Sequence, residues 1–510
     1  MKKVLALALA LLMLMGLTSV ASAAEKDTVI IATPSEPTAM FTQDAAYPSN
    51  MAKDSPIMFN VHAYLCWMDE NGEIVPWVAK EWSCSDDGLV WTFKIRDDVY
   101  FHNGEKLTAE DVAFSYNLAL EKNEALSENL LINLESAEVV DEYTVNFHLS
   151  APTEYFPSET TSRSGMLICK KYYEEVGSEG YQEHPIGCGA YKFVSRVSGQ
   201  EIVLEANENY FLGEPAIKNA IIRVMANVST SFISLKSGDV DVVNLADIAS
   251  CKQLTDADIA TYMTNPSTNR VYITMNTRLN GDSMLKDNLN LRRAIQYAID
   301  KEECILGSVA GAGTVLDCSA PYFFNGAPDP GSFLTIEWDL DKAEEYLAAA
   351  NYNGEPIQMF CNSGTVEEKC AQIIQGQLLN IGINMEINSV DAGTLSALDA
   401  SPSGWDMLIS STTGSLNDVS TLNSFYMYKE SKGPISERMD ELQSLSEQAN
   451  VASGQERKDL IAQIVNIANE EVLDIYIFCK DSSIAFNKDL EGMVLNTNGT
   501  WRIEDWSWKE

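Results

Sequence analysis

The residues that could do chemistry are few, and their spacing does not suit them to it. Only four histidines occur, His62, His102, His148 and His184, and none stands in the His-Glu-x-x-His spacing that would put two imidazoles on one helix face for zinc. There is no Gly-x-Ser-x-Gly turn to lift a serine nucleophile, and no glycine loop ending in Gly-Lys-Ser/Thr to cradle a phosphate. Gly311-Ala312-Gly313 lacks the third glycine of a dinucleotide loop, and Gly187-Cys188-Gly189 reads as a tight turn entering a strand. His102, beside Asn103-Gly104, reads as a turn residue. Ten cysteines (Cys66, Cys84, Cys169, Cys188, Cys251, Cys304, Cys318, Cys361, Cys370 and Cys479) contain no Cys-x-x-Cys, which removes the cluster and thioredoxin-like readings. Their number permits bridges, but spacing does not choose a pairing. With 74 acidic against 35 basic residues and a net charge of −39, paired carboxylates read first as solvated surface, and nucleic acid or an anionic membrane is a poor partner. No catalytic residue, no metal and no cofactor is expected.

The elements that would position a binding site are easier to read. Lys2 and Lys3, the apolar run Val4 to Leu17 and the small-x-small site Ala21-Ser22-Ala23 predict a cleavable signal peptide over residues 1–23. No cysteine lies at that site for a lipid anchor, so a periplasmic or secreted chain is expected. Leu89, Trp91, Phe93 and Ile95 alternate as one face of a strand, which Asp97-Asp98 and Asn103-Gly104 turn into a hairpin. Thr108, with Asp111 three residues on, opens a helix that carries Val112, Tyr116 and Leu120 on one face. Tyr143 to Leu149 pairs back on Val139-Val140, and Tyr191 to Leu204 folds across Ser198-Gly199. Further helices are expected from Asn290, from a capping box at Asp341 and Glu344, and from Val366 to a stop at Gly382. Met439 to Ile467 keeps the helical rhythm, and Val472 to Phe478 is an apolar strand. Helix and strand alternate throughout, predicting an α/β architecture with sheets covered by helices.

As a string, Asp86 to Tyr116 (DDGLVWTFKIRDDVYFHNGEKLTAEDVAFSY) resembles the signature of the extracytoplasmic solute-binding proteins of family 5, the dipeptide, oligopeptide and nickel-binding components of ABC importers. Four further stretches match in order: HPIGCGAYKF at His184 to Phe193, LKSGDVDVV at Leu235 to Val243, VYITMNTR at Val271 to Arg278, and LRRAIQYAIDKEE at Leu291 to Glu303. The resemblance implies a two-lobed, periplasmic-binding-protein-like fold with mixed sheets, hinge strands and an inserted domain. It divides the chain into lobe I (24–56, 185–270 and 480–510), an inserted domain (57–184) and lobe II (271–479). It also implies a monomer that closes over a small-molecule or peptide ligand and docks on an ABC permease with its ATPase subunits.

The family holds a peptide's free amine with an Asp in a Trp-x-x-Asp-Tyr-type segment after a Tyr/Phe-Asp strand. Here the strand is Trp405 to Ile409, and the segment runs from Thr412 through Thr413 and Gly414 to Ser415, Leu416, Asn417 and Asp418. Ser415 occupies the acid's position, and a neutral hydroxyl cannot give an ammonium a charge-assisted hydrogen bond. Asp418, and Glu36 next to Ser35 in the loop after the first strand, are the acidic substitutes. Tyr272 and Thr274 would face the cleft from the hinge strand, whereas Trp67, Trp77, Trp82 and Trp405 read as core. A di- or oligopeptide is the expected ligand. An uncharged solute such as an oligosaccharide is the alternative within the class, and a secreted peptide or glycan hydrolase, or an extracellular sensor, the alternative outside it.

Overall fold

The computed structural model describes residues 26–44, 46, 51–123, 131, 133–244, 248–319, 324, 326–413, 436–496 and 499–509. The expected signal peptide lies outside them. In chain order, β1 (Thr28–Thr33) and α1 (Met51–Val61) lead into a layer made of β2 (Ala79–Cys84), β3 (Val90–Ile95), α2 (Ala109–Lys122), β4 (Leu134–Asp141), β5 (Thr144–Leu149) and α3 (Lys170–Glu183). These four strands form an antiparallel sheet in the order β2-β3-β5-β4. Phe93, Phe147, Phe156 and Tyr116 pack its inner face, with Tyr116 edge-on to Phe147 at 4.7 Å. The α2 start is as expected: the Thr108 backbone N–H donates to the Asp111 carboxylate at 3.0 Å. The expected hairpin is not. β3 pairs with β2 and β5, while Asn103-Gly104 closes a separate small loop in which Phe101 N–H donates to the Glu105 carbonyl at 2.8 Å. β3 instead forms a hairpin with the strand just before it, Phe93 facing Trp82 of β2, and its other partner, Val145 of β5, is one that a local alternation cannot name.

The chain then returns through β6 (Tyr191–Val197), β7 (Glu201–Ala206), β8 (Asn219–Val224), α4 (Val228–Ser237), β9 (Val242–Asn244) and α5 (Ile248–Asp256). It crosses on β10 (Ala260–Met275) into α6 (Leu289–Ala298), α7 (Lys301–Val309), β11 (Gly313–Val315), α8 (Leu340–Ala350), β12 (Ile357–Asn362), α9 (Val366–Asn380), β13 (Met385–Val390), α10 (Ala392–Ala400) and β14 (Met407–Thr413). After α11 (Met439–Val451) and α12 (Gly454–Glu471) it comes back on β15 (Asp474–Asn487). Two helix starts differ from expectation. α6 is capped by Asn288, not Asn290, and α8 by Asp339, not Asp341, because those side chains are the ones that reach the free N–H groups of Leu291 and Lys342. The strand expected from Val472 starts at Asp474, since Val472 ends α12 in the left-handed region at φ 48°.

One mixed sheet of eleven strands runs through the molecule in the order β13-β12-β14-β10-β15-β9-β1-β8-β7-β6, with β11 on β15. β1 is parallel to β8 and β9, and β12 is parallel to β13 and β14; the pairs around β10 and β15 are antiparallel. Its two largest apolar cores lie along it, beside smaller clusters such as that of Ala32, Val243, Ala260 and Ala485. One contains Val29, Ile31, Ile202, Leu204, Ile222, Ile484 and Trp506; the other contains Val271, Ile273, Ile295, Ile357, Ile374, Ile409 and Ile475. Among the described residues β15 contributes to both, and β10 adds half-buried Met263 to the first and Val271, Ile273 and Met275 to the second.

Candidate functional site

β10 and β15 lie side by side over most of their length, but their register breaks twice, at the gap before Asn269 and again between Val271 and Tyr272. Ala260–Asn265 pairs with Ser482–Asn487, Asn269–Thr274 pairs with Asp474–Lys480, and the register shifts between Asn265 and Asn269. Pro266, which cannot donate to a ladder, sits in that gap. Ser267 closes it: its hydroxyl donates to the Lys480 carbonyl at 2.5 Å and accepts the Asn269 N–H at 3.0 Å. Among the described residues, β10 and β15 carry the sheet from one core to the other, and this bulge interrupts their pairing.

Beyond the bulge the alternation of β10 sends Val271, Ile273 and Met275 into the second core and turns Arg270, Tyr272 and Thr274 to the opposite face. Tyr272 stacks on Tyr476 of β15 with centroids 5.3 Å apart, and burial pushes its hydroxyl pKa upward. Thr274 is half-buried opposite Leu408 and Asp474. Thr413, the last residue of β14, lies opposite Asn269 at the level of the bulge. Tyr272, Thr274 and Thr413 are thus brought onto adjacent strands. Gly414, Ser415 and Asp418 lie outside the described residues.

The other two expected positions lie in the loop that follows β1. Ser35 is exposed, and its carbonyl accepts from the Thr33 hydroxyl at 3.2 Å. Glu36 is an ion-pair residue: Arg196 of β6 holds its carboxylate at 2.7 Å, and the Gly199 N–H of the β6–β7 turn donates to it at 3.0 Å. A ligand amine would have to displace a guanidinium there.

Two groups escaped the sequence reading. The Arg270 guanidinium is buried over Phe324 at 5.6 Å and donates to the Ser319 carbonyl at 3.2 Å. Arg457, in the first turn of α12, is buried over the Tyr155 ring at 4.5 Å, and beside it the Glu154 carboxylate accepts the Gly454 N–H at 3.0 Å. This second contact joins the 57–184 segment to the first turn of α12. A signal for Arg457 existed: it lies three and seven residues before Leu460 and Ile464, in the apolar stripe of its helix.

Two of the histidines are tied to backbone carbonyls. Burial pushes His62 down to about 4 and His102 to about 3; the His62 Nε2 bonds the Met40 carbonyl and the His102 Nε2 the Gly189 carbonyl. His102 therefore tethers its loop to the Gly187–Gly189 turn instead of merely making a turn of its own. Trp67, Trp77 and Trp405 are buried and Trp82 is half-buried. Cavities of about 510 and 460 Å³ lie elsewhere. The first is lined by Tyr100, His102, Lys192, Tyr210 and Phe211, the second by Trp67, Val75, Asn496 and Arg502. Among the described residues no group of three or more His, Cys, Asp or Glu is arranged to hold a metal ion, and no helix is long and apolar enough to cross a membrane.

The profile of the family described as "Bacterial extracellular solute-binding proteins, family 5 Middle" matches residues 73–434. The chain belongs to this family. Its similar relatives include the glutathione-binding protein GsiB of Pectobacterium atrosepticum, 25% identical over 362 residues (70% of this chain and 69% of that one). The oligopeptide-binding protein AppA of Bacillus subtilis is 27% identical over 370 residues (68% and 66%), and the nickel-binding periplasmic protein of Escherichia coli 25% identical over 380 (67% and 70%). Among solved structures, the ABC transporter substrate-binding protein CtaP of Listeria monocytogenes superposes with a TM-score of 0.85 at 22% identity, covering 95% of this chain and 100% of that one. Bacillus subtilis AppA in complex with a nonapeptide gives 0.76 at 22% identity over 95% and 99%. The family 5 binding proteins share this periplasmic-binding-protein fold, capture small solutes or peptides and work with ABC importers.

Proposed function

We propose that this family 5 solute-binding protein captures a di- or oligopeptide between its lobes and hands it, unaltered, to the permease of an ABC importer. The chain acts as an exported monomer; ATP hydrolysis belongs to the transporter. The reading rests on the β10–β15 pair, two strands joining two separately packed cores through one serine-held bulge, with Tyr272, Thr274 and the end of β14 beside it. Closure over a guest removes water, so main-chain hydrogen bonds along an extended peptide gain strength without regard to its side chains. The relatives named for oligopeptides and glutathione favour a peptide guest.

Lobe I, the inserted domain and lobe II keep the bounds 24–56, 185–270 and 480–510; 57–184; and 271–479. Ser415 stands where the resemblance expects an acid, and Glu36 already holds Arg196. Those two facts favour a second reading, an uncharged solute such as an oligosaccharide. Native mass spectrometry of the chain purified without unfolding separates the two. A retained mass that fragments into amino-acid residues supports the peptide reading, and one that fragments into hexose units overturns it. Small-angle scattering that stays unchanged when the retained solute is stripped and restored would overturn capture by closure.

A further inference from the structure

Asp481 sits where every neighbour of β15 changes. On one side β15 runs beside β11 over Phe478–Lys480 and beside β9 over Ile484–Phe486; on the other, its pairing with β10 stops at Lys480 and resumes at Ser482. Asp481 falls between all of these stretches, opposite the break that holds Pro266. Both ends of its peptide link are nevertheless tied. The Lys480 carbonyl accepts from the Ser267 hydroxyl at 2.5 Å, and the Asp481 N–H donates to the Ala312 carbonyl at 3.1 Å.

The side chain shares the face of the candidate site. Alternation along β15 puts it with Cys479, which is enclosed with Tyr476 and Leu316 against Tyr272. It also stands at the level where β14 ends: Thr413 is opposite Asn269, and Asn269 is opposite Lys480. At the usual spacing of strands, Asp481 is then about 10 Å across the sheet from the end of β14, after which the sequence has Ser415 in the acid's place. The other acids of the neighbourhood are engaged. Asp406, at the start of β14, accepts the Ser283 hydroxyl at 2.6 Å and the Gln358 N–H at 2.9 Å, and Glu36 holds Arg196. Asp481 differs from both: its Oδ1 is closed off from solvent and has no hydrogen-bond partner among the described residues. Burial pushes its carboxyl pKa upward. A dry, unpaired carboxylate oxygen costs stability in the protein that carries it, and it is satisfied by a cation brought from outside.

We propose that Asp481 receives the N-terminal ammonium of the bound peptide and supplies, from β15, the acid that is absent at Ser415. The assignment rests on the peptide reading above and adds to it the residue that anchors the guest. An ammonium brings three donors to an acceptor whose backbone is already fixed on both sides, so little further ordering is lost on binding. Enclosed together, the two charges make a charge-assisted hydrogen bond that a neutral hydroxyl cannot replace.

The full chain lacking residues 1–23 is stripped of retained solute and incubated with a casein hydrolysate. Native mass spectrometry identifies the peptide held most strongly, which is then synthesised with a free and with an acetylated N-terminus. Calorimetry is expected to show the parent chain binding the free form roughly 30-fold more tightly, and Asp481→Asn losing that margin and binding both forms alike. Asparagine has nearly the same shape and removes an unpaired buried charge, so the empty variant is expected to melt at or above the parent's temperature. A lower melting temperature, or failure to fold, would show that the carboxylate already has a partner and would overturn the proposal. A variant that still prefers the free amine, or a parent chain that binds both forms equally, overturns the assignment while the peptide reading stands. If no peptide of the hydrolysate is retained, the peptide reading falls and the assignment with it.

Discussion

Glu504 shows how a single side chain can set a pH dependence. It is enclosed where the 57–184 segment meets the C-terminal residues: Tyr210 donates to its carboxylate at 3.0 Å, Trp77 donates to Tyr210 at 2.9 Å, and Arg502 sits 3.2 Å away over the rings of Trp67 and Trp77. Burial outweighs the attraction of Arg502, and Asp505 adds repulsion, so the carboxyl rises from 4.5 to about 7. A raised value means that the folded chain holds a proton the unfolded chain releases. Stability is therefore fully present below about 4.5 and declines as pH rises through 7. Glu504→Gln, which cannot ionise, is expected to be near neutral at pH 5 and to stabilise by up to about 3 kcal/mol at pH 8. Thermal melts of both chains across that range check it, and parallel pH profiles would show that the carboxylate is solvated.

At the scale of elements, two joints carry most of the consequence. The Gly187–Gly189 turn passes so close to α1 that a Cβ at Gly187 would lie 1.8 Å from the Val61 carbonyl oxygen. Gly187→Ala must push two backbones apart, and a loss of about 3 kcal/mol or more is expected in a denaturant titration. Ser267 is the opposite kind of joint. Ser267→Ala removes two hydrogen bonds at the bulge, leaving the Lys480 carbonyl and the Asn269 N–H without that hydroxyl. A stability loss of about 1–2 kcal/mol is expected, together with a wider spread of interlobe distances measured between labels on α5 and α9. An unchanged spread would mean that the bulge does not set the swing.

For the whole molecule, the question is what favours the closed arrangement. Besides β10 and β15, the halves meet where Glu154 and Tyr155 receive the first turn of α12, and where Lys252 reaches the Ala310 carbonyl at 3.5 Å. A carboxylate at a helix N-terminus and a guanidinium on a desolvated ring each contribute on the order of 1 kcal/mol. Glu154→Gln with Arg457→Met should therefore shift the population toward open forms. Calorimetry with the retained solute is expected to show roughly 10-fold weaker affinity, and stopped-flow to place the change mainly in the release rate. Equal affinity would assign the contact to folding and not to closure.

Much of this protein was legible from local rules. The Thr108–Asp111 cap, the Ser198-Gly199 hairpin, the Gly238 and Gly382 stops and the buried tryptophans follow from side-chain periodicity and backbone preference, which act within a few residues and survive any tertiary setting. Family membership was legible in the same way, because five ordered stretches resembled one family. What local pattern could not supply was the partner of each strand. Leu89–Ile95 is a hairpin arm, but it folds back on Ala79–Cys84 before it and not on the residues after it, and its other neighbour is Thr144–Leu149. The hinge looked like a strand beginning at Val271, whereas the structure starts it at Ala260 and breaks it around Pro266. Glu36 and Ser415 show the same division at the site. A sequence can display a carboxylate or its absence, but only packing decides that Arg196 lies against Glu36. Pairing between distant segments, and the burial that sets each group's charge, depend on surfaces that exist only once the chain has folded.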